Sequence, residues 1–180
     1  MGAEEPIVHF MQAHHFAALA ACLVACTCDL RTGRIPNLLT FGAAGLALAF
    51  HGLAGNLGAS GWSLAGWLVG ITLFVPFFWL GGMGAGDVKL LAALGAWVGP
   101  GEIVWVAFWS VIAGGVIGLP VAWAHGYLRH ACRNLRVLLK HWLLVGVQPL
   151  PEITLQRSLA PRLAYAVPIM TGLVVRLWLQ

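Results

Sequence analysis

Long runs of residues almost without charge restrict this chain more than any other feature. They cover residues 7–28, 38–55, 62–80, 103–124 and 163–179, with a shorter run at 88–98. A helix of about 20 apolar residues crosses a bilayer core about 30 Å thick. Only 9% of the residues are charged, against about 25% in a soluble domain. The expected fold is therefore an all-α integral membrane protein, a polytopic bundle of about six transmembrane helices in one membrane-embedded domain, 1–180. The fourth run is too short to span alone unless the glycine loop before it dips into the membrane. Non-helical backbone is tolerated at that depth only where protein or a water-filled cavity surrounds it.

The charges orient the bundle. Arg31, Arg34 and Lys89 follow the first and third runs, and Arg129, Arg133, Arg136, Lys140, Arg157 and Arg162 follow the fifth. The loops around 56–61 and 99–102 hold no Lys or Arg, and Arg176 alone breaks the pattern. By the positive-inside rule the basic loops are cytoplasmic and both termini lie outside.

This topology brings together the only two aspartates of the chain, Asp29 and Asp87. Asp29 ends the first run and Asp87 opens the fourth, both on the cytoplasmic side. An ionisable group near hydrocarbon is costly and usually functional. Two adjacent carboxylates do not both ionise comfortably, so the pair shares a proton. One then acts as general base on water while the other protonates the scissile carbonyl or leaving amine. Gly82, Gly84 and Gly86, just ahead of Asp87, allow a substrate strand close to the loop. Taken singly, each aspartate also has a plain structural reading. Asp87 would cap the fourth helix, and Asp29 would pair with Arg31 or Arg34. Their shared side favours a paired-carboxylate site.

The residues around the two carboxylates carry a resemblance. "GMGAGDVKLLAALGAWVG" resembles the GxGDxK motif of the prepilin peptidases, with Gly84, Gly86, Asp87 and Lys89 at its fixed positions. "DLRTGRIPNLLT", residues 29–40, resembles the first catalytic segment of that family, including Ile35-Pro36-Asn37. "RLAYAVPIM" is similar, more weakly, to a proline-rich family segment. The resemblance implies a bacterial or archaeal membrane aspartyl endopeptidase of the inner membrane, with no cofactor and no metal. It would cut the short basic leader from type IV prepilins or pseudopilins at the cytoplasmic face. Asp29 and Asp87 would be the catalytic pair, with Gly84, Gly86, Lys89, Pro36 and Asn37 close to the substrate. Asn37 is expected to cap the second helix and Lys89 to reach toward the lipid headgroups. The chain has no paired CxxC motifs, so it resembles the short peptidases of tight-adherence, Flp-type systems and is not expected to methylate its product.

Within the insert at about 125–160, Arg129, Arg133, Arg136 and Lys140 recur at helical spacing. They predict a basic amphipathic helix in the interface, in contact with anionic lipid. Its apolar opposite face argues against nucleic acid. Cys22, Cys26, Cys28 and Cys132 form neither a disulfide framework nor a zinc pattern. "LAAC" at 19–22 resembles a lipoprotein cleavage box, but acidic Glu4 and Glu5 stand where a signal peptide needs a positive start. His14, His15 and His51 read as packing residues, and the glycine loop lacks P-loop spacing. The GxxxG pairs Gly66/Gly70, Gly95/Gly99 and Gly114/Gly118 predict tight helix contacts. Pro120 and Pro168 are expected to kink their helices. A proton- or ion-coupled transporter is the rival function, which wants its carboxylates near the midplane. An inactive assembly factor would have little use for an intact pair.

Overall fold

The computed structural model describes residues 5–54, 57–80, 82–124, 126, 133 and 164–179. The described residues form six helices: α1 (Glu5–Thr32), α2 (Asn37–Ala54), α3 (Leu57–Trp79), α4 (Ala85–Val98), α5 (Pro100–Ala124) and α6 (Ala166–Trp178). Ala13–Thr32 of α1, together with all of α3 and α5, is long and apolar enough to cross a membrane, while α2 and α6 are shorter apolar helices. An all-helical membrane bundle is thus the observed architecture. The expected basic stripe and the insert at 125–160 lie outside the described residues, apart from Gly126 and Arg133.

The short fourth run has a simple explanation. Every residue from Leu90 to Val98 is buried, and α4 packs against α1, α2, α3 and α5. A helix that is apolar all round belongs in the centre of a bundle. Walled in by its neighbours, α4 has no need to match the thickness of the bilayer. At 14 residues it rises about 21 Å.

Glycines set the closest of these contacts. Gly66 on α3 meets Gly95 on α4 backbone to backbone, and Gly70 meets Ala92 one turn away. A Cβ at Gly66 or Gly95 would strike the opposite main chain. Two of the expected GxxxG pairs therefore face each other, and the second, in α4, ends at Gly99. There a positive φ of 88° and the ring of Trp62 both require glycine. Between α5 and α6, Gly172 seats on Ser110 and Gly114 on the Tyr165 ring.

Pro120 lies inside α5, and Pro76, not anticipated, lies inside α3. Pro168 differs from expectation. It occupies the first turn of α6, where a missing N–H removes no helical bond, so it starts that helix and does not kink it. Arg176, the exception to the charge pattern, donates from Nε and Nη2 to both carboxylate oxygens of Glu102, the latter bond at 2.9 Å. A carboxylate on the neighbouring helix thus accounts for a cation at that end. Near the same end His51 stacks among His14, Trp62 and Trp97, its Nε2 lying 3.3 Å from the Trp97 carbonyl. The packing role expected for His14 and His51 is what these contacts describe.

Candidate active site

The site lies at the opposite end, where α1 finishes, α4 begins and α6 begins. α1 continues through Thr32, so Asp29 stands in its last full turn. Gly33 then adopts φ 62° and donates its N–H to the Asp29 carbonyl at 2.8 Å, closing the helix as a left-handed glycine does. The chain turns through Ile35 and Pro36, and the Pro36 carbonyl accepts the first bonds of α2, from Leu39 and Thr40.

Asp87 occupies the third position of α4. Its Oδ2 accepts the Gly84 N–H at 3.2 Å, which ties the glycine loop to the helix it precedes. The capping reading of Asp87 is therefore correct in part: the side chain does satisfy one backbone donor. It does more than cap. Burial first, and the neighbouring Asp29 charge second, push its carboxyl from 3.8 up to about 7, against the lowering pull of the Gly84 bond. Asp87 precedes the apolar run 88–98, at the edge of the bundle. There a carboxyl that is half protonated near neutral pH can serve as acid or base. Asp29, for its part, accepts the Ala166 N–H on Oδ2 at 3.4 Å.

The two motif segments touch directly. A Cβ on Gly86 would lie 3.3 Å from Ile35 Cβ, so the α1–α2 turn rests on the first turn of α4. Beside it Lys89 Nζ donates to Asn37 Oδ1 at 2.8 Å and lies 5.4 Å from the centre of the Phe41 ring. This corrects two expectations. Asn37 is the first residue of α2 and its amide binds Lys89; Pro36 supplies the capping carbonyl. Lys89 does not extend freely to headgroups but crosses to α2. Two residues apart on a helix, Asp87 and Lys89 point nearly 160° away from each other, which is why one meets α1 and the other α2.

The start of α6 is the element that sequence reasoning undervalued. Ala166 gives its N–H to Asp29 and its carbonyl to Cys26 Sγ, at 3.1 Å. The Tyr165 ring packs edge-on against Phe74 at 6.0 Å. The only signal for this was the proline-rich stretch around "RLAYAVPIM", because backbone donors leave no mark in residue type. All seven expected site residues thus gather at one end. Asp29, Asp87 and Gly84 lie on one side of the start of α4, Gly86 and Lys89 meet Ile35 and Asn37 on the other, and Pro36 lies in the turn between those two.

A helical membrane bundle with two carboxylates close enough at one end for one charge to act on the other is the class these features define. The comparisons make the family plain: residues 16–119 match the type IV leader peptidase family, and the chain belongs to it. Two curated relatives are prepilin leader peptidase/N-methyltransferases of Burkholderia pseudomallei, strains 1026b and K96243. Each is 34% identical over 119 residues, covering 60% of this chain. The chain matches only 37% of the length of those relatives. No solved structure matches the chain.

Proposed function

We propose that this chain is a membrane-embedded aspartyl endopeptidase that removes the short basic leader of a type IV prepilin or pseudopilin. The single domain would act at the cytoplasmic face of the inner membrane. The observation that carries this is the raised Asp87 carboxyl beside Asp29. Asp87 holds the shared proton and Asp29 acts as the base. Asp29 takes a proton from water as the water oxygen attacks the scissile carbonyl carbon, and Asp87 gives its proton to the carbonyl oxygen. When the tetrahedral gem-diol collapses, the C–N bond breaks, the leaving amine takes up the proton held by Asp29, and one hydroxyl returns its proton to Asp87, leaving a carboxylic acid and the starting pair. The Ala166 N–H keeps the Asp29 carboxylate oriented through both steps. Both carboxylates lie at one end of the bundle, which supports hydrolysis over proton transport. With no paired CxxC in these residues, the proposal is confined to the peptidase.

The test is cleavage of a co-expressed prepilin, read as a mobility shift, by wild type, Asp29→Asn and Asp87→Asn. Both variants should insert normally and leave the substrate uncut. Cutting by both would dismiss the paired-carboxylate mechanism and make proton flux the next assay.

A further inference from the structure

On the side of α4 away from Asp87 an apolar groove runs between α2 and α3, with α4 as its floor. Phe41, Trp67, Ile71, Val75 and Val88 line it, and Lys89 stands at one end. Its volume is about 280 Å³. Along α3 it extends from Trp67 to Phe78, a rise of about 16 Å.

The lining and the charge at the mouth choose the occupant. An extended peptide is excluded, because its amides would face a wall with almost no polar partner. Thr40, the one hydroxyl on the lining, is already bonded to the Asn37 carbonyl at 3.1 Å. Unpaired backbone groups in an apolar, lipid-facing slot are not tolerated. A file of methylenes asks for no polar partner and suits a wall that is apolar along its whole length. At the mouth, the Lys89 ammonium is positive and has three donors, of which the Asn37 bond uses one. We propose that this groove is a binding site for one acyl chain of an anionic phospholipid, with the lipid phosphate on Lys89. The site is separate from the aspartates and does not depend on the peptidase reading.

The experiment is a melting curve of the full chain, delipidated in detergent and then given phosphatidylglycerol, phosphatidylcholine or inorganic phosphate. Phosphatidylglycerol should raise Tm more than phosphatidylcholine, and phosphate should do nothing. Lys89→Gln should erase the preference between the two lipids while keeping some gain from each. Ile71→Trp, which fills the slot, should lose both gains; Val75→Trp serves if that variant does not fold. A preference that survives Lys89→Gln but vanishes when Arg129, Arg133, Arg136 and Lys140 are neutralised would overturn the site. A photoreactive side chain at Val75 should capture a phospholipid mass, and a polypeptide adduct there would equally refute it.

Discussion

Replacing Asp87 with asparagine should abolish cleavage and make the protein more stable, increasingly so as pH rises. The unfolded chain releases this proton from pH 3.8 upward, whereas the folded state holds it to about pH 7. Between those values the folded state binds more protons, so its stability falls as pH rises through the window and levels off above it. Integrating over the two values gives a cost to the fold of about 2 kcal/mol at pH 5 and about 4 kcal/mol at pH 8. An asparagine carries no such cost, and its amide oxygen can still accept the Gly84 N–H. Changes in packing are independent of pH, so the quantity to read is the change in the gap between variant and wild type. From pH 5 to pH 8 that gap should widen by about 2–3 kcal/mol, on the order of 5–10 °C in Tm for a chain of this size. The assay is thermal unfolding in a mild detergent at both pH values. A gap that stays constant, or closes toward pH 8, would show that Asp87 is not held protonated by its surroundings.

Three other results are expected. In an Asp29→Asn background the widening should shrink, because the Asp29 charge is the second cause of the Asp87 shift; the same pair of melts measures it. Gly95→Val should cost about 3 kcal/mol or more in melting experiments, since the new side chain meets the Gly66 backbone and neither helix can yield without moving the core. Asn37→Ala and Lys89→Met should each cost about 1 kcal/mol, and the double variant little more than either. A double-mutant cycle in melting free energy reads that coupling, and simple additivity would show that the 2.8 Å bond contributes nothing.

Gly86→Val tests the join between the two motif segments. Its side chain would enter the space held by Ile35 and displace the α1–α2 turn, lowering prepilin cleavage more than it lowers Tm. Equal and proportionate loss of both would assign Gly86 to packing alone.

Much of this protein is legible in its residues one run at a time. The apolar runs dictate helices because lipid leaves the backbone no other partner. The placement of Arg31, Arg34 and Lys89 predicts that Asp29 and Asp87 share one side, since charge near a span reports its orientation. The glycine pairs Gly66/Gly70 and Gly95/Gly99 announce close helix contact by their size. These are local signals, and they survive whatever the helices pack against.

What tertiary structure alone decided concerns pairs of distant residues. Nothing in the spacing couples Lys89 to Asn37, fifty-two positions apart, because a lysine at a helix start is equally suited to lipid headgroups. The brevity of α4 looked like a defect in a span until its neighbours enclosed it. The Ala166 N–H on Asp29 is invisible in sequence, since every residue but proline carries one. Burial of Asp87 is likewise a property of the assembled bundle: it takes α4 at the centre and Asp29 beside it to turn an ordinary helix-capping carboxylate into one that keeps its proton near neutral pH.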